Sequence, residues 1–272
     1  MTDLVSIVMP VYNGEKYIGE AIRSVIHQQH TFWELIIVND GSTDNTKDII
    51  LGISDERIRY FEQSNRGTSA ARNYGIKEIR GRYFCCLDAD DVLPPNSLAS
   101  RLKVFESDVM ARFVDGTVYV YDSILRSQLS KWSPSFKGRP FHQLVRLSGR
   151  CFFGPTWMIR LGEDIKLSFD EDLSHGEDLL LYISIANQGI YNYTDDCILY
   201  YRKNMNSTMN NIDGLARGYS YLCSIVRNNY RAETNMIDRF LILARSRKIM
   251  FLTFWNRRNY FKAINYMASG RV

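Results

Sequence analysis

Three carboxylates within four residues, Asp88, Asp90 and Asp91, are the densest run of charge in the chain. They repel one another unless a cation or a hydrogen-bond network compensates them. A hard divalent ion is the simplest compensation, because Mg2+ and Mn2+ take oxygen from one or two carboxylates and complete their shell with water and substrate phosphate. An Asp-x-Asp turn therefore suits a metal–diphosphate site. Two other readings fit the same residues: an exposed acidic loop capping the helix after Pro94, and an aspartyl nucleophile, Asp88, that attacks phosphorus. Two further polar groups stand at comparable places, Pro10, Tyr12 and Asn13 after one apolar run, and Asn39 and Asp40 after the next. Each alone reads as a turn, since Asn-Gly, Asp-Gly and Ser-Thr-Asp are common turn and cap residues.

The elements that must position these groups alternate between short apolar runs and helical patterns, as expected of a parallel sheet covered by helices. Val5 to Met9, Leu35 to Val38, Ile58 to Phe61 and Tyr83 to Leu87 are the expected strands, with Pro10 ending the first. Glu15 to His27 carries Tyr17, Ile18, Ala21, Ile22, Val25 and Ile26 on one face of a helix. Asp44 can cap a helix running to about Ile53, and Thr68 to Ile79 reads as another. In such a sheet ligands bind outside the carboxyl ends of the strands, near the point where strand order reverses. All three polar groups fall on that rim, which points to a site for one polar ligand.

Further along, Thr117 to Tyr121 reads as a strand, Leu125 to Arg139 as a surface loop and Phe141 to Leu147 as a short helix. Ser174 and Glu177 have the spacing of a capping box opening a helix to Gln188, and residues 212 to 268 are mostly helical by pattern. The division expected is residues 1–210 as the α/β domain that carries the rim site and 211–272 as a basic amphipathic helical extension.

With 272 residues, 45% hydrophobic and 24% charged, the chain is long enough to bury a large core without disulfides or a structural metal. Five cysteines with no C-x-x-C pair fit buried reduced thiols. No apolar run approaches the roughly 20 residues that cross a bilayer, and Asp3 stands where a signal peptide carries Lys or Arg, so a cytoplasmic protein is expected. Net charge is +4, but residues 231–272 carry nine Lys/Arg against Glu233 and Asp238, a net +7 that leaves −3 for the rest. In that segment Ile237, Leu241, Ala244, Phe251 and Trp255 can share one helical face beside Arg245, Arg247 and Lys248, the pattern of a helix lying on anionic lipid or, equally, of a packing helix. No nucleic-acid partner is expected.

The segments VSIVMPVYNGEKYI (5–18), ELIIVNDGSTDNT (34–46), NRGTSAARNYGI (65–76), CCLDADDVLPP (85–95) and FDEDLSHGEDLLLY (169–182) occur in this order. Together they resemble the family 2 glycosyltransferases. The resemblance implies an α/β fold of GT-A type, a Rossmann-like, mostly parallel sheet flanked by helices. It also implies a hexosyltransferase-type enzyme with a nucleotide-sugar donor, Mn2+ or Mg2+ as cofactor, and inversion at the anomeric carbon. Carried over by position, Pro10, Tyr12 and Asn13 line the nucleoside pocket. Asp40 accepts from the base, which suits the imide N–H of uracil or thymine and favours a UDP or TDP donor. Arg72 lies against the same nucleotide, Asp88 stands nearer the ribose and Asp90 on the metal, with Asp91 and Glu177 in support. Asp178 matches the base that takes the proton of a glycan or lipid-linked acceptor hydroxyl in cell-surface polysaccharide synthesis.

Relatives often carry Tyr-Arg-x-His-x-x-Ser after the base, whereas this chain reads Tyr201-Arg202-Lys203-Asn204-Met205-Asn206-Ser207. Asn204 replaces the His and can still coordinate through its amide oxygen, while Arg202 or Lys203 can contact phosphate. His175 is expected at an exposed helix entry. Trp132, Phe152, Phe153 and Trp157 are candidate sugar-stacking residues. Strand-Asp-x-Asp also resembles the nucleophile motif of haloacid-dehalogenase phosphatases, but that motif opens its fold and here three strands precede it. A phosphatase and a donor-binding subunit without turnover are the alternatives.

Overall fold

A computed structural model of the chain describes residues 3–204 and 211–269. Eight strands form one sheet: β1 (Val5–Val11), β2 (Trp33–Asn39), β3 (Ile58–Glu62), β4 (Tyr83–Cys86), β5 (Ala111–Tyr121), β6 (Gln128–Trp132), β7 (Met158–Arg160) and β8 (Ile190–Arg202). Their order is β3-β2-β1-β4-β7-β5-β6, with β8 also paired to β5. The first four pair in parallel, β7 runs antiparallel between β4 and β5, and β8 runs parallel to β5. Chain order reverses between β1 and β4, which places the expected crevice over their carboxyl ends.

Every residue of β1 and β2 is buried, as a strand covered on both faces must be. Their side chains alternate between two cores. Ile7, Met9 and Ile37 pack on one face with Ile22 and Val25 of α1 (Ile18–Ile26) and Leu98 and Leu102 of α4 (Ser97–Ser107). Val8, Ile36 and Val38 face the other core, with Ala71 of α3 (Thr68–Lys77) and Leu179, Leu181 and Ile183 of α6 (Glu177–Ile185). Gly75 of α3 sits so close to β1 that a Cβ there would meet Val8 Cγ1 at 2.5 Å, so a small residue is what lets α3 lie on the strand.

Four expectations are revised. Pro10 lies inside β1, opposite Val38, rather than ending it. Its missing N–H falls just past the last β1–β4 pair, Val8↔Cys86, where the ladder between those strands ends. The stretch expected as a loop contains β6, an edge strand whose residues are exposed or half-buried, and whose hairpin turn is held by Asp122 accepting from the N–H of Ile124, Arg126 and Ser127. β7 and the long β8 have no counterpart in the sequence reading. The Ser174 capping box does not form: α6 starts at Glu177, its N-cap is Gly176 at φ +83°, and Ser174 Oγ pairs with His175 Nδ1 instead.

The helical C-terminus comprises α7 (Ile212–Asn229), α8 (Met236–Asn256) and α9 (Tyr260–Ser269). Leu222, Val226 and Ile242 join the core that holds α3 and α6, while Ala216, Met250, Phe254, Ala263 and Tyr266 form a small core among the three helices. Asn235 caps α8 in a capping box with Asp238. The same Asp238 carboxylate, fully buried, accepts from Arg146 Nε at 2.6 Å and meets His142 Nδ1 at 2.9 Å, both from the segment around α5 (Phe141–Val145).

Candidate active site

The β1 and β2 loops are stitched together at the rim. Asn13, at φ +50°, donates its N–H to Ser42 Oγ at 2.9 Å and accepts from Thr43 N through Oδ1 at 2.8 Å. Gly14 N donates to Thr46 Oγ1, Glu15 N to Asp44, and Asn45 N to Glu15. Asn13 is thus a splice between loops, and Tyr12 beside it is half exposed. Asp40 at the end of β2 is buried. Its Oδ1 accepts from Gln63 Nε2 (2.7 Å) and Arg66 N (2.9 Å), and its Oδ2 from Gly67 N (2.8 Å). A carboxylate has about four acceptor positions, so one remains on Oδ2.

Beyond β4, the three acids divide. Asp91 is buried and accepts from Arg202 N at 2.8 Å. Burial and then repulsion from Asp90 and Asp88 hold its carboxyl well above the usual range. Asp90 is pushed up to about 6 by burial and by Asp88. Its Oδ2 accepts from Asn204 Nδ2. Asn204 Oδ1 is buried without a hydrogen-bond partner, which is a costly state for an amide oxygen. Asp90 and that orphaned oxygen form a hard-oxygen pair of the kind Mg2+ or Mn2+ accepts beside substrate oxygens. Among the described residues no three His, Cys, Asp or Glu side chains converge into a fuller cluster.

Arg202 is a buried strut: Nε donates to Asp90 O, Nη1 to Ser123 O and Nη2 to Glu20 at 2.6 Å, with its plane over Tyr17. Its guanidinium is occupied by protein, whereas the Lys203 side chain is exposed. Met205 to Ser207, the rest of that motif, lie outside the described residues.

Arg72 joins the two halves of the site. It projects from α3, is 3% exposed, and donates Nη2 to Asp88 (2.8 Å) and Nη1 to Glu177 (2.8 Å). Burial opposes its charge, but Asp88, and behind it Glu177 and Asp178, outweigh that cost and raise its pKa. Asp178 is half-buried, and its Oδ1 accepts from Leu179 N at 2.7 Å. Burial and then the neighbouring Glu177 push it up to about 7, against the pull of Arg72. Glu177, expected to cap its helix, is instead an ion-pair partner. The pairing spans 105 residues, and nothing in the local sequence announces it. Gly154 carries no signal in the sequence: a Cβ there would stand 3.8 Å from Asp178 Oδ2, so this loop borders that carboxylate.

The candidate stacking residues separate. Trp157 is buried and stacked on Tyr182 with centroids 4.1 Å apart, so it is core. Phe152 packs edge-on against the same Tyr182. Phe153 is half-buried between Trp132 (5.6 Å) and Tyr201 (5.3 Å), next to Gly154. His175 is not exposed but buried against α7, where a Cβ on Gly218 would meet its carbonyl oxygen at 2.4 Å.

Comparison with known proteins agrees with this geometry. The profile of Glycosyl transferase family 2 matches residues 6–162. An uncharacterised glycosyltransferase of Rickettsia bellii is 32% identical over 227 residues, 83% of this chain and 32% of its own. EpsJ of Bacillus subtilis is 33% identical over 218 residues, covering 76% and 63%. The chain spans about a third of the length of the Rickettsia relatives it matches. Two solved structures share the fold: S. aureus TarS 1-349 in complex with UDP-GlcNAc (TM-score 0.66, 16% identity, 98% of this chain and 92% of that one), and the mannosyltransferase PcManGT of Pyrobaculum calidifontis in complex with GDP-Man and Mn2+ (TM-score 0.62, 17%, 98% and 76%). The fold is of GT-A type, and the chain belongs to glycosyl transferase family 2.

Proposed function

We propose that the chain transfers a sugar from a nucleotide-diphosphate donor, UDP or TDP favoured, to a hydroxyl of a glycan or lipid-linked acceptor, with inversion, in cell-surface polysaccharide synthesis. One observation carries this reading: Arg72 holds Asp88 of the Asp-x-Asp turn and Glu177 of the Glu-Asp pair in one network, which brings donor side and base side within one guanidinium's reach. The free acceptor position on Asp40 Oδ2 takes the imide N–H of the base, between the stitched β1 and β2 loops that carry Pro10, Tyr12 and Asn13. Asp178 Oδ2 removes the acceptor proton as the hydroxyl attacks the anomeric carbon from the face opposite the diphosphate. A carboxylate raised to about 7 is matched to that task near neutral pH. Single displacement needs no covalent enzyme intermediate. Asp90 and Asn204 Oδ1 would hold a divalent ion, Mn2+ or Mg2+, which would supply Lewis-acid neutralisation of the departing diphosphate. Phe153, with Trp132 and Tyr201, offers an apolar sugar face a stacking surface beside Gly154.

Calorimetric titration with UDP, TDP and GDP, with Mn2+ and then with chelator, tests the donor side. The reading expects the pyrimidine diphosphates to bind more tightly and the chelator to weaken them; unchanged UDP affinity in a folded Asp40→Ala variant would remove Asp40 as the base reader.

A further inference from the structure

Of the apolar stripe that the sequence places on α8, Phe251 packs into the small core among the three helices and Leu241 and Ala244 are half-buried, while Ile237 and Trp255 stay exposed. The inward side of α8 is lined by Asp238, Ile242, Ser246, Met250 and Phe254, all buried. Ile237, Phe240, Leu252 and Trp255 are 60%, 69%, 46% and 45% exposed. α9 extends the same character, with Phe261 83% and Ile264 62% exposed. Trp255 joins the two helices edge-on to Tyr260, ring centroids 4.7 Å apart, and stacks on Phe251. Leaving aromatic and aliphatic side chains of this size in water forgoes the burial that drives folding. A contiguous patch of this kind marks an interaction surface.

Charge says what that surface meets. Of the two acids in residues 231–272, Asp238 faces inward to Arg146 and His142, so it does not offset the cations outside. Arg239 and Arg245 donate to backbone carbonyls, and Lys262 pairs with Asp213. Lys248 and Arg258 are exposed on α8 and just after it, on either side of Leu252 and Trp255 in the sequence. Exposed aromatic and aliphatic side chains, Trp255 and Tyr260 among them, interspersed with exposed cations are complementary to the headgroup region of an anionic bilayer. A protein partner would need a matching acidic rim, whereas a lipid surface supplies negative charge all round. No helix among the described residues is long and apolar enough to cross a membrane.

We propose that α8 and α9 together form a peripheral docking surface for an anionic lipid membrane, in which Phe240, Trp255 and Phe261 enter the interface and Lys248 and Arg258 contact lipid phosphates. This stands independently of the transfer chemistry. The test is flotation of the full chain with vesicles of phosphatidylcholine alone or mixed with phosphatidylglycerol. The protein is expected to float with the mixed vesicles, to float weakly with phosphatidylcholine, and to be released by high salt. The F240E/F261E variant, altered only at exposed positions, should lose flotation by tenfold or more, and the K248E/R258E variant by about fivefold or more per cation removed. Both should keep the wild-type circular dichroism spectrum and donor affinity. Absence of flotation with anionic vesicles, or wild-type flotation by F240E/F261E, would overturn the proposal. So would a concentration-dependent dimer that F240E/F261E abolishes while neither protein binds vesicles.

Discussion

At the residue scale, the site is governed by how three carboxylates share one buried guanidinium. Asp88 and Glu177 take its two Nη atoms, and Asp178 feels its charge without a direct bond. Arg72→Gln removes the charge and keeps a polar side chain, so Asp178 loses the pull that holds its pKa down. The acid limb of the kcat profile should then move to higher pH, by about one unit, in a protein whose melting transition still shows it folded. A limb that stays in place would detach Arg72 from the base. Much of this scale was legible: the acids, Asp40 and the Arg72 triplet stand out by type and position along the chain. Their partners were not. Asp40 binds the N–H groups of Arg66 and Gly67, and Glu177 binds Arg72 across the molecule, pairings that only the folded chain creates.

At the element scale, helices and central strands were readable because burial imposes a period on them, and β1, β2, α1 and α3 fall close to where the pattern puts them. β6 was not, because an exposed edge strand has no apolar alternation to show, and Gly176 displaced Ser174 at the start of α6 because its left-handed backbone turns the chain where a serine cap cannot. That turn is backed by α7. Gly214 and Gly218 let α7 approach His175, one residue before the N-cap of the helix that carries the base. Gly218→Ala places a methyl against the His175 carbonyl and should cost about 1–3 kcal/mol of stability. It should also lower kcat more than it changes donor affinity, since it moves the start of α6 and not the β1–β2 loops. Denaturant unfolding together with steady-state rates checks both; a variant that is destabilised with unchanged kcat would make α7 a mere cover.

At the scale of the whole molecule, stability and function pull on the same charges. Asp115 is buried on β5, accepts from Tyr191 Oη at 3.1 Å and Gly116 N at 2.9 Å, and is pushed up to about 6 by burial. A folded carboxyl that holds its proton more tightly than the unfolded one stabilises the fold at low pH, and this contribution is lost as pH rises through about 6. Asp115→Asn should therefore gain up to about 3 kcal/mol relative to wild type at pH 8 and little at pH 4; thermal melts across that range test it, and a pH-independent difference would contradict it. The acids of the rim are raised by burial in the same way, and Asp178, the proposed base, is the one on which the account depends. The most direct test is the rate of sugar transfer, with donor affinity measured on the same samples, for wild type and Asp178→Asn. Loss of the proton acceptor with shape and polarity kept predicts a fall in kcat of about 10² to 10⁴ with donor affinity close to wild type, whereas an Asp178→Asn protein that transfers sugar at the wild-type rate would contradict the assignment of the base.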